Sequence, residues 1–542
     1  MKNKKGILLA AKQYGRRSRP RAKSLDSPCM SGDENFAIER NRSTENVQKN
    51  PESDHESDQL MPLMVSKEPK IASYANRSYS LDSNPQYQFI LYGTSVPFLT
   101  SGYSVSLKPS KQNSLVTIFA IWNTIIGSSL LAMPWSVQRA GLAVALVLML
   151  FVSTLAVYTA YRVLTVQFLH GDQNIGEVPY LCKVLLGKWA ELTARIFSFV
   201  IIFGANIVYW ILMSNCLYHS VGYLTDILFG TEMNSMNLNN TVLCPSDDVV
   251  NSTTADIEKT LFQKVWNLET TVPLFLVIIV APLLNFKSAT FFTKFNSIGT
   301  LSVIYLFIFV LIKSFSWGVN VDLMEPENEH YVNLYETTFF ATSGMLPLSL
   351  FIHNIVITLM KNNRDQQNNS RDLSIAYVLV VLTYLLIGFT FYICFPLKKS
   401  CIEDNMLNNF PDWDVTTVVA RIFLFFQLLT VYPLLSYMLR IQVFSALNYP
   451  SYPSAFYVMI LNLVNIFGCV LFAIFLPRIG TIIRFTGAIC GFVYIFTLPC
   501  LLYMASKRER KQLNTSTIIL HSCIPVIGLV NLVAQFYVSD SY

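Results

Sequence analysis

The chain has 542 residues, 52% of them hydrophobic and 14% charged, with a formal net charge of +6 and a mean hydropathy of +0.42. A soluble globular protein carries about a quarter charged residues, so this balance excludes one and describes a membrane protein. Polar and charged residues concentrate before position 113, and from Leu115 onward apolar runs of spanning length alternate with short polar breaks.

Residues 1–113 read as a cytosolic, largely disordered regulatory tail, rich in Ser, Asn, Asp and Glu and without apolar periodicity. The tail opens on Lys2, Lys4, Lys5, Lys12, Arg16, Arg17, Arg19, Arg21 and Lys23 with only ILLAA between them, too little apolar chain for a signal peptide. This basic start suits an anionic cytoplasmic leaflet, and equally a solvated tail. ESDQLM, with Glu56, Leu60 and Met61, fits the acidic dileucine-type sorting pattern, and YQFI, with Tyr87 and Ile90, fits the tyrosine-based one.

A helix needs about 20 apolar residues to cross the hydrocarbon core. Eleven stretches qualify in the region 114–542: 115–138, 142–166, 192–226, 271–290, 296–317, 334–360, 373–396, 414–439, 454–476, 480–504 and 516–538. The basic loops KNNRDQQNNSRD (361–372) and SKRERK (506–511) place those connections in the cytosol, with a cytosolic N-terminus and a lumenal C-terminus. The loop 227–270 then faces the lumen or exterior, where its glycosylation sequons at Asn239 and Asn251 are usable. Cys244 and Cys401 share that oxidising side, so a disulfide between them is expected.

The first stretch carries WNTIIGSSL, in which Asn123, Thr124, Gly127, Ser128 and Ser129 all weaken a helix interior. A packing seam of small residues is one explanation. The other is a designed break, and the sixth stretch supports it: ATSGMLPLSLFIHN (341–354) places Gly344, Pro347, His353 and Asn354 in an equally apolar run. Interruptions five spans apart point to an inverted repeat of five plus five helices with an eleventh outside it, and to a midplane site. Backbone groups freed there favour a carboxylate at half-helix N-termini and a hard cation at carbonyls and hydroxyls. His353 is expected to be a buried, hydrogen-bonded neutral histidine, and Arg421 and Arg440 to snorkel from the ends of the eighth stretch. No nucleophile–base set, phosphate loop or metal cluster suggests an enzyme.

WNTIIGSSLLAMPW, VYWILMSN, PLLNFKS, SIGTLSVIYL, FIHN with MKNN, RDLSIAY, ARIFLFFQLLTVYPLL and IIRFTGAICG together resemble the sodium-coupled neutral amino acid transporters, within the amino acid/auxin permeases and the wider amino acid, polyamine and organocation superfamily. Within that family the likeness is strongest to its lysosomal, arginine-sensing branch, which signals to mTORC1. The resemblance implies an all-α, LeuT-like fold of eleven helices with the first and sixth broken. It implies sodium as coupling ion, with Asn123 and Thr430 as its ligands, and no organic cofactor. Thr124, Ile125, Ile126, Gly127, Ser128 and Ser129 match the amino-acid-binding stretch, with Ser128 where threonine is usual. It further implies a lysosomal membrane location, export of arginine-, leucine- or glutamine-class amino acids, and contact of the tail with the Rag–Ragulator complex. A transport-poor sensor and a proton-coupled carrier are the alternatives; no nucleic-acid partner is expected.

Overall fold

In the computed structural model the described residues are 112–170, 177–229, 242–245, 265–286, 297–361, 363–450 and 452–538. They form helices joined by short polar connections, in chain order α1 (Ser114–Ile125), α2 (Met133–Ala140), α3 (Leu142–His170), α4 (Val178–Leu186), α5 (Lys188–Phe229), α6 (Val272–Leu284), α7 (Ser297–Trp317), α8 (Phe340–Ser349), α9 (Val356–Lys361), α10 (Asn369–Cys394), α11 (Val415–Ala446), α12 (Ala455–Phe475), α13 (Ile479–Gly491), α14 (Leu498–Glu509) and α15 (Thr515–Ala534). Among the described residues eight helices are long and apolar enough to cross a bilayer, while Ser114–Ile125 and Val272–Leu284 are shorter apolar ones. Bulky apolar side chains such as Phe168, Phe315, Phe467 and Phe475 face outward, and the core is a continuous apolar cluster between helices. Outward apolar residues are what lipid, unlike water, accepts.

The first stretch, 115–138, is broken in two, as its small and polar residues lead one to expect. α1 ends at Ile125, Ile126 and Gly127 leave helical geometry, a 3₁₀ turn covers Ser128–Leu130, and α2 begins one residue before Pro134. Proline in the first turn suits a helix start, since its missing N–H has no intrahelical partner there. The stretch 334–360 is also divided. Residues 333–338 stay outside helix because they serve the end of the first span: Leu142 N donates to Asn333 O (2.8 Å), Glu336 N to Ala140 O (3.0 Å) and Thr338 Oγ1 to Arg139 O (2.7 Å). Gly141 turns this corner at φ +79°, and a Cβ there would lie 2.7 Å from Tyr335 N. α8 therefore starts at Phe340, and helix resumes at Val356 after a second break.

Two other boundaries differ from the sequence pattern. α5 begins at Lys188, four residues early, because Gly187 at φ +95° ends α4 and Glu191 in the first turn pairs with Lys183 (3.3 Å) and Arg195 (3.0 Å). α4, only nine residues long, was too short to read as a span.

α8 and α13 meet backbone to backbone: a Cβ on Gly487 would sit 2.4 Å from Gly344 O, and one on Gly491 would sit 2.5 Å from Pro347 Cβ. After α13 the chain makes a π-helical turn at Phe492–Thr497 before α14. At the end of the bundle that carries residue 112, Gln112 pairs with Asn363 and Arg364 N donates to Gln112 O (2.8 Å). Asn363 in turn donates to the buried Asp372 (2.8 Å), which fixes the basic connection 363–372.

Candidate functional site

The first break exposes backbone in the middle of the bundle. Ile126 N closes the last turn of α1 on Trp122 O (3.0 Å), and the next closures are the 3₁₀ bonds from Leu130, Leu131 and Ala132. Between them the N–H groups of Gly127, Ser128 and Ser129 have no backbone acceptor among the described residues. Unpaired backbone N–H groups ahead of a helix start are donors of the kind that anions take up. Ser129 is buried and Ser128 half-buried, while Thr124 is exposed and turns its hydroxyl back onto Ala120 O (2.7 Å). Trp122 is pinned to α10 through Thr383 (3.1 Å). A Cβ on Gly127 would lie 3.4 Å from the Tyr209 hydroxyl of α5, so that phenol stands over the break.

One side chain ties the two breaks together. The hydroxyl of Tyr384 in α10 lies 2.9 Å from Ser349 O, where α8 ends, and 3.3 Å from Ile125 O, where α1 ends. Its single proton is shared between two carbonyls that helix ends leave without partners. Tyr377, two turns earlier, donates to Leu350 O (3.0 Å). Thr342 of α8 donates to Ser136 O of α2 (2.6 Å), joining the second half of the first span to the sixth. His353, in the second break, is buried as expected and its Nε2 meets Thr159 Oγ1 at 3.0 Å.

Asn123 and Thr430 do not touch each other and hydrogen-bond to different neighbours. Thr300 of α7 donates to Asn123 Oδ1 (3.4 Å), and Thr430 donates to Gln427 O (2.8 Å). Gly299, next to Thr300, packs against the Gln427 side chain, where a Cβ would approach to 3.1 Å. Gln427 Oε1 is buried and accepts no hydrogen bond. The oxygens here are neutral amide and hydroxyl groups, which suit a hard monovalent cation, and an orphaned buried acceptor is what such an ion satisfies. No group of three or more His, Cys, Asp and Glu gathers among the described residues, so the arrangement does not suit a transition metal. Thr300, Gln427, Tyr209 and Tyr384 were not singled out in the sequence, where a lone polar residue in an apolar run carries no positional signal.

The opposite end from residue 112 is closed by loops. Cys244 and Cys401 form the expected disulfide, across 157 residues of sequence. Leu243 N donates to Asn409 O (2.8 Å), and Asn409 Nδ2 donates to Cys401 O (2.6 Å). Met406 N donates to Leu131 O (3.1 Å) beside the first break, and Asp404 accepts from Gly480 N (2.9 Å) at the start of α13. Burial, then the neighbouring Asp404, pushes the Glu403 carboxyl up to about 7 against the pull of Arg478. Burial also raises Asp404 despite the Gly480 hydrogen bond. A cavity of about 300 Å³ opens at this end, away from the breaks, lined among others by Gln138, Glu327, Glu329, Glu336, Lys398 and Lys399.

Arg421 and Arg440 do not snorkel. Arg421 is fully buried and donates to Asp412 (2.8 Å) and Leu407 O (3.0 Å), and Arg440 is 2% exposed, over the Tyr437 ring and facing Phe286 O (3.3 Å). Each found acceptors on a loop or helix end distant in sequence, which removes the reason to reach for water. Burial opposes the Asp412 charge, yet His219 and Arg421 hold its carboxyl below the usual range. The sequons at Asn239 and Asn251 and the sorting residues Glu56, Leu60, Met61, Tyr87 and Ile90 lie outside the described residues.

Residues 111–539 match the family model described as transmembrane amino acid transporter protein. The chain is 42% identical over 455 residues to the Caenorhabditis elegans sodium-coupled neutral amino acid transporter 9 homolog, covering 79% of this chain and 74% of that one. It is 40% identical over 444 residues to the Rattus norvegicus neutral amino acid transporter 9, covering 79% of each. It is also 40% identical over 452 residues to the Danio rerio protein of the same name, covering 79% and 81%.

Proposed function

The chain belongs to the transmembrane amino acid transporter family, and from that premise we propose that it is a sodium-linked, arginine-responsive amino acid transporter of the lysosomal membrane. It exports amino acids from the lumen by alternating access in an eleven-helix, LeuT-like frame, with a cytosolic N-terminus and a lumenal C-terminus. The observation that carries this reading is the Tyr384 hydroxyl held between the two breaks, 2.9 Å from Ser349 O and 3.3 Å from Ile125 O. A substrate seated there touches both halves of the repeat at once, which is the requirement for coupling binding to movement.

In this mechanism the α-carboxylate docks on the N–H groups of Gly127, Ser128 and Ser129, with the positive end of α2 behind them. Ile125, Ile126 and Thr124 line the approach. Sodium is held by Asn123 and Thr430 together with Thr300 and Gln427, and it organises the first span against α7 and α11. Ser128 offers a hydroxyl without the methyl of threonine, leaving the pocket one carbon wider. The disulfide-bonded end faces the lumen, where Asn239 and Asn251 carry glycans, and the tail 1–113 carries the sorting signals and meets Rag–Ragulator, so that amino acid sufficiency reaches mTORC1.

Flux in proteoliposomes tests the reading. Ser128→Trp fills the break and is expected to lower amino acid uptake at least tenfold, and Asn123→Ala to abolish its dependence on sodium. Replacing sodium by choline is expected to slow the wild-type chain to the Asn123→Ala rate. Unchanged flux in both variants would overturn the assigned site.

A further inference from the structure

We propose that the seam of α3, α14 and α15 binds the phosphate of an anionic lipid headgroup, with Arg162 as its anchor. The guanidinium of Arg162 lies between two phenol rings, 4.6 Å from the Tyr158 centroid and 4.4 Å from the Tyr503 centroid. Tyr161, 38% exposed, adds a third ring at 5.7 Å on the outward side. Among the described residues Arg162 makes no ion pair and donates no hydrogen bond, and its Nε is sealed from solvent without a partner. The guanidinium has five N–H donors in a planar fork that matches a phosphate with two parallel bonds. Stacked rings hold that fork in place and leave its edge open.

In the proposed topology Arg162 stands one turn inside the cytosolic end of the second stretch, 142–166. Arg162 precedes the end of α3 at His170 by eight residues, about 12 Å along the axis. Tyr503 precedes the basic stretch 506–511 by three residues. The surroundings supply no competing anion. On α3, His170 meets Ser506 Oγ (2.7 Å) and takes up Glu509 (3.4 Å), the acidic residue of that stretch. On α14, Lys507 bonds Gln512 (3.2 Å) and leans on the Tyr503 ring, Arg510 bonds Leu169 O (2.8 Å), and Arg508 adds further positive charge. On α15, His521 is buried, and its ring nitrogens already have partners in Thr517 O (Nδ1, 2.8 Å) and the Tyr158 hydroxyl (Nε2, 3.0 Å). A cation at the bilayer surface with aromatic walls, basic neighbours and no protein counter-ion is completed by a lipid phosphate.

The inference rests on the membrane-spanning part of the proposed function and on none of its transport chemistry, so its test reads lipid and not flux. The full chain is purified in detergent, offered dioleoyl phosphatidylinositol 4-phosphate or dioleoyl phosphatidylcholine, and the lipid retained is counted by native mass spectrometry. The anionic lipid is expected to be retained about fivefold over phosphatidylcholine, and Arg162→Gln to remove that preference while Arg162→Lys restores part of it. Equal retention by wild type and Arg162→Gln overturns the proposal. Displacement of the lipid by millimolar inorganic phosphate also overturns it, since the site would then read free phosphate. Tyr503→Leu, which keeps the charge and removes one wall, guards against a misfolded arginine variant: about a threefold loss is expected, and unchanged retention counts against the site.

Discussion

Glu403 and Asp404 lie side by side in the loop that closes the disulfide-bonded end, with Arg478 as their countercharge. Burial raises Glu403 to about 7 from its usual 4.5, so the folded chain binds that proton more tightly than the unfolded one. The stability it contributes is complete below about pH 4.5 and is lost as pH rises through 7. The thermal midpoint is therefore expected to fall between pH 5 and pH 8, and Glu403→Gln to flatten the profile by about 2–4 °C, measured by intrinsic fluorescence at both pH values. An equal slope in the variant would assign the dependence elsewhere. The arginines of the eighth span show why some single residues were illegible. An arginine near a span end looks alike in sequence whether it reaches water or a buried carboxylate. What decided for Arg421 was Asp412 nine residues away in a loop, and for Arg440 the Phe286 carbonyl just past the end of α6.

At the scale of elements, both breaks were readable because Gly, Ser, Asn and Pro leave a compositional mark wherever helix is abandoned. Their bridge was not, because a tyrosine in an apolar helix such as α10 reads equally as an interfacial or a packing residue. Tyr384→Phe tests the bridge. It leaves Ser349 O and Ile125 O without a donor, a cost of roughly 1–3 kcal/mol for a buried acceptor. Amino acid uptake in proteoliposomes is expected to drop about tenfold, in line with that cost, with the fold intact by gel filtration. Full activity in the phenylalanine variant would show the two breaks to be coupled by other contacts. The start of α8 was misplaced for a different reason: residues 334–339 are apolar enough to span, but their backbone is already committed to the corner at Gly141.

At the scale of the whole molecule, apolar runs of spanning length made the membrane class legible, and the expected placing of both loops on one side made the pairing of Cys244 with Cys401 an expectation that the structure meets. That bond closes a loop of 157 residues and works beside the Leu243–Asn409 hydrogen bond. Cys401→Ser is expected to destabilise the chain by roughly 2–5 kcal/mol, seen as an equal loss of thermal midpoint in Cys401→Ser and in the Cys244→Ser/Cys401→Ser pair. A larger loss in the single variant would mean that the freed Cys244 thiol does harm of its own.

The close approach of α8 and α13 has a mechanical side. Where Gly487 faces the Gly344 carbonyl no side chain stands between the two helices, so anything larger than hydrogen there would force them apart. α13 starts at the Asp404 hydrogen bond, and Asp404 is three residues from the disulfide. The first half of the sixth span is thus joined, through one helix and one hydrogen bond, to the clasped loops at the far rim of the molecule.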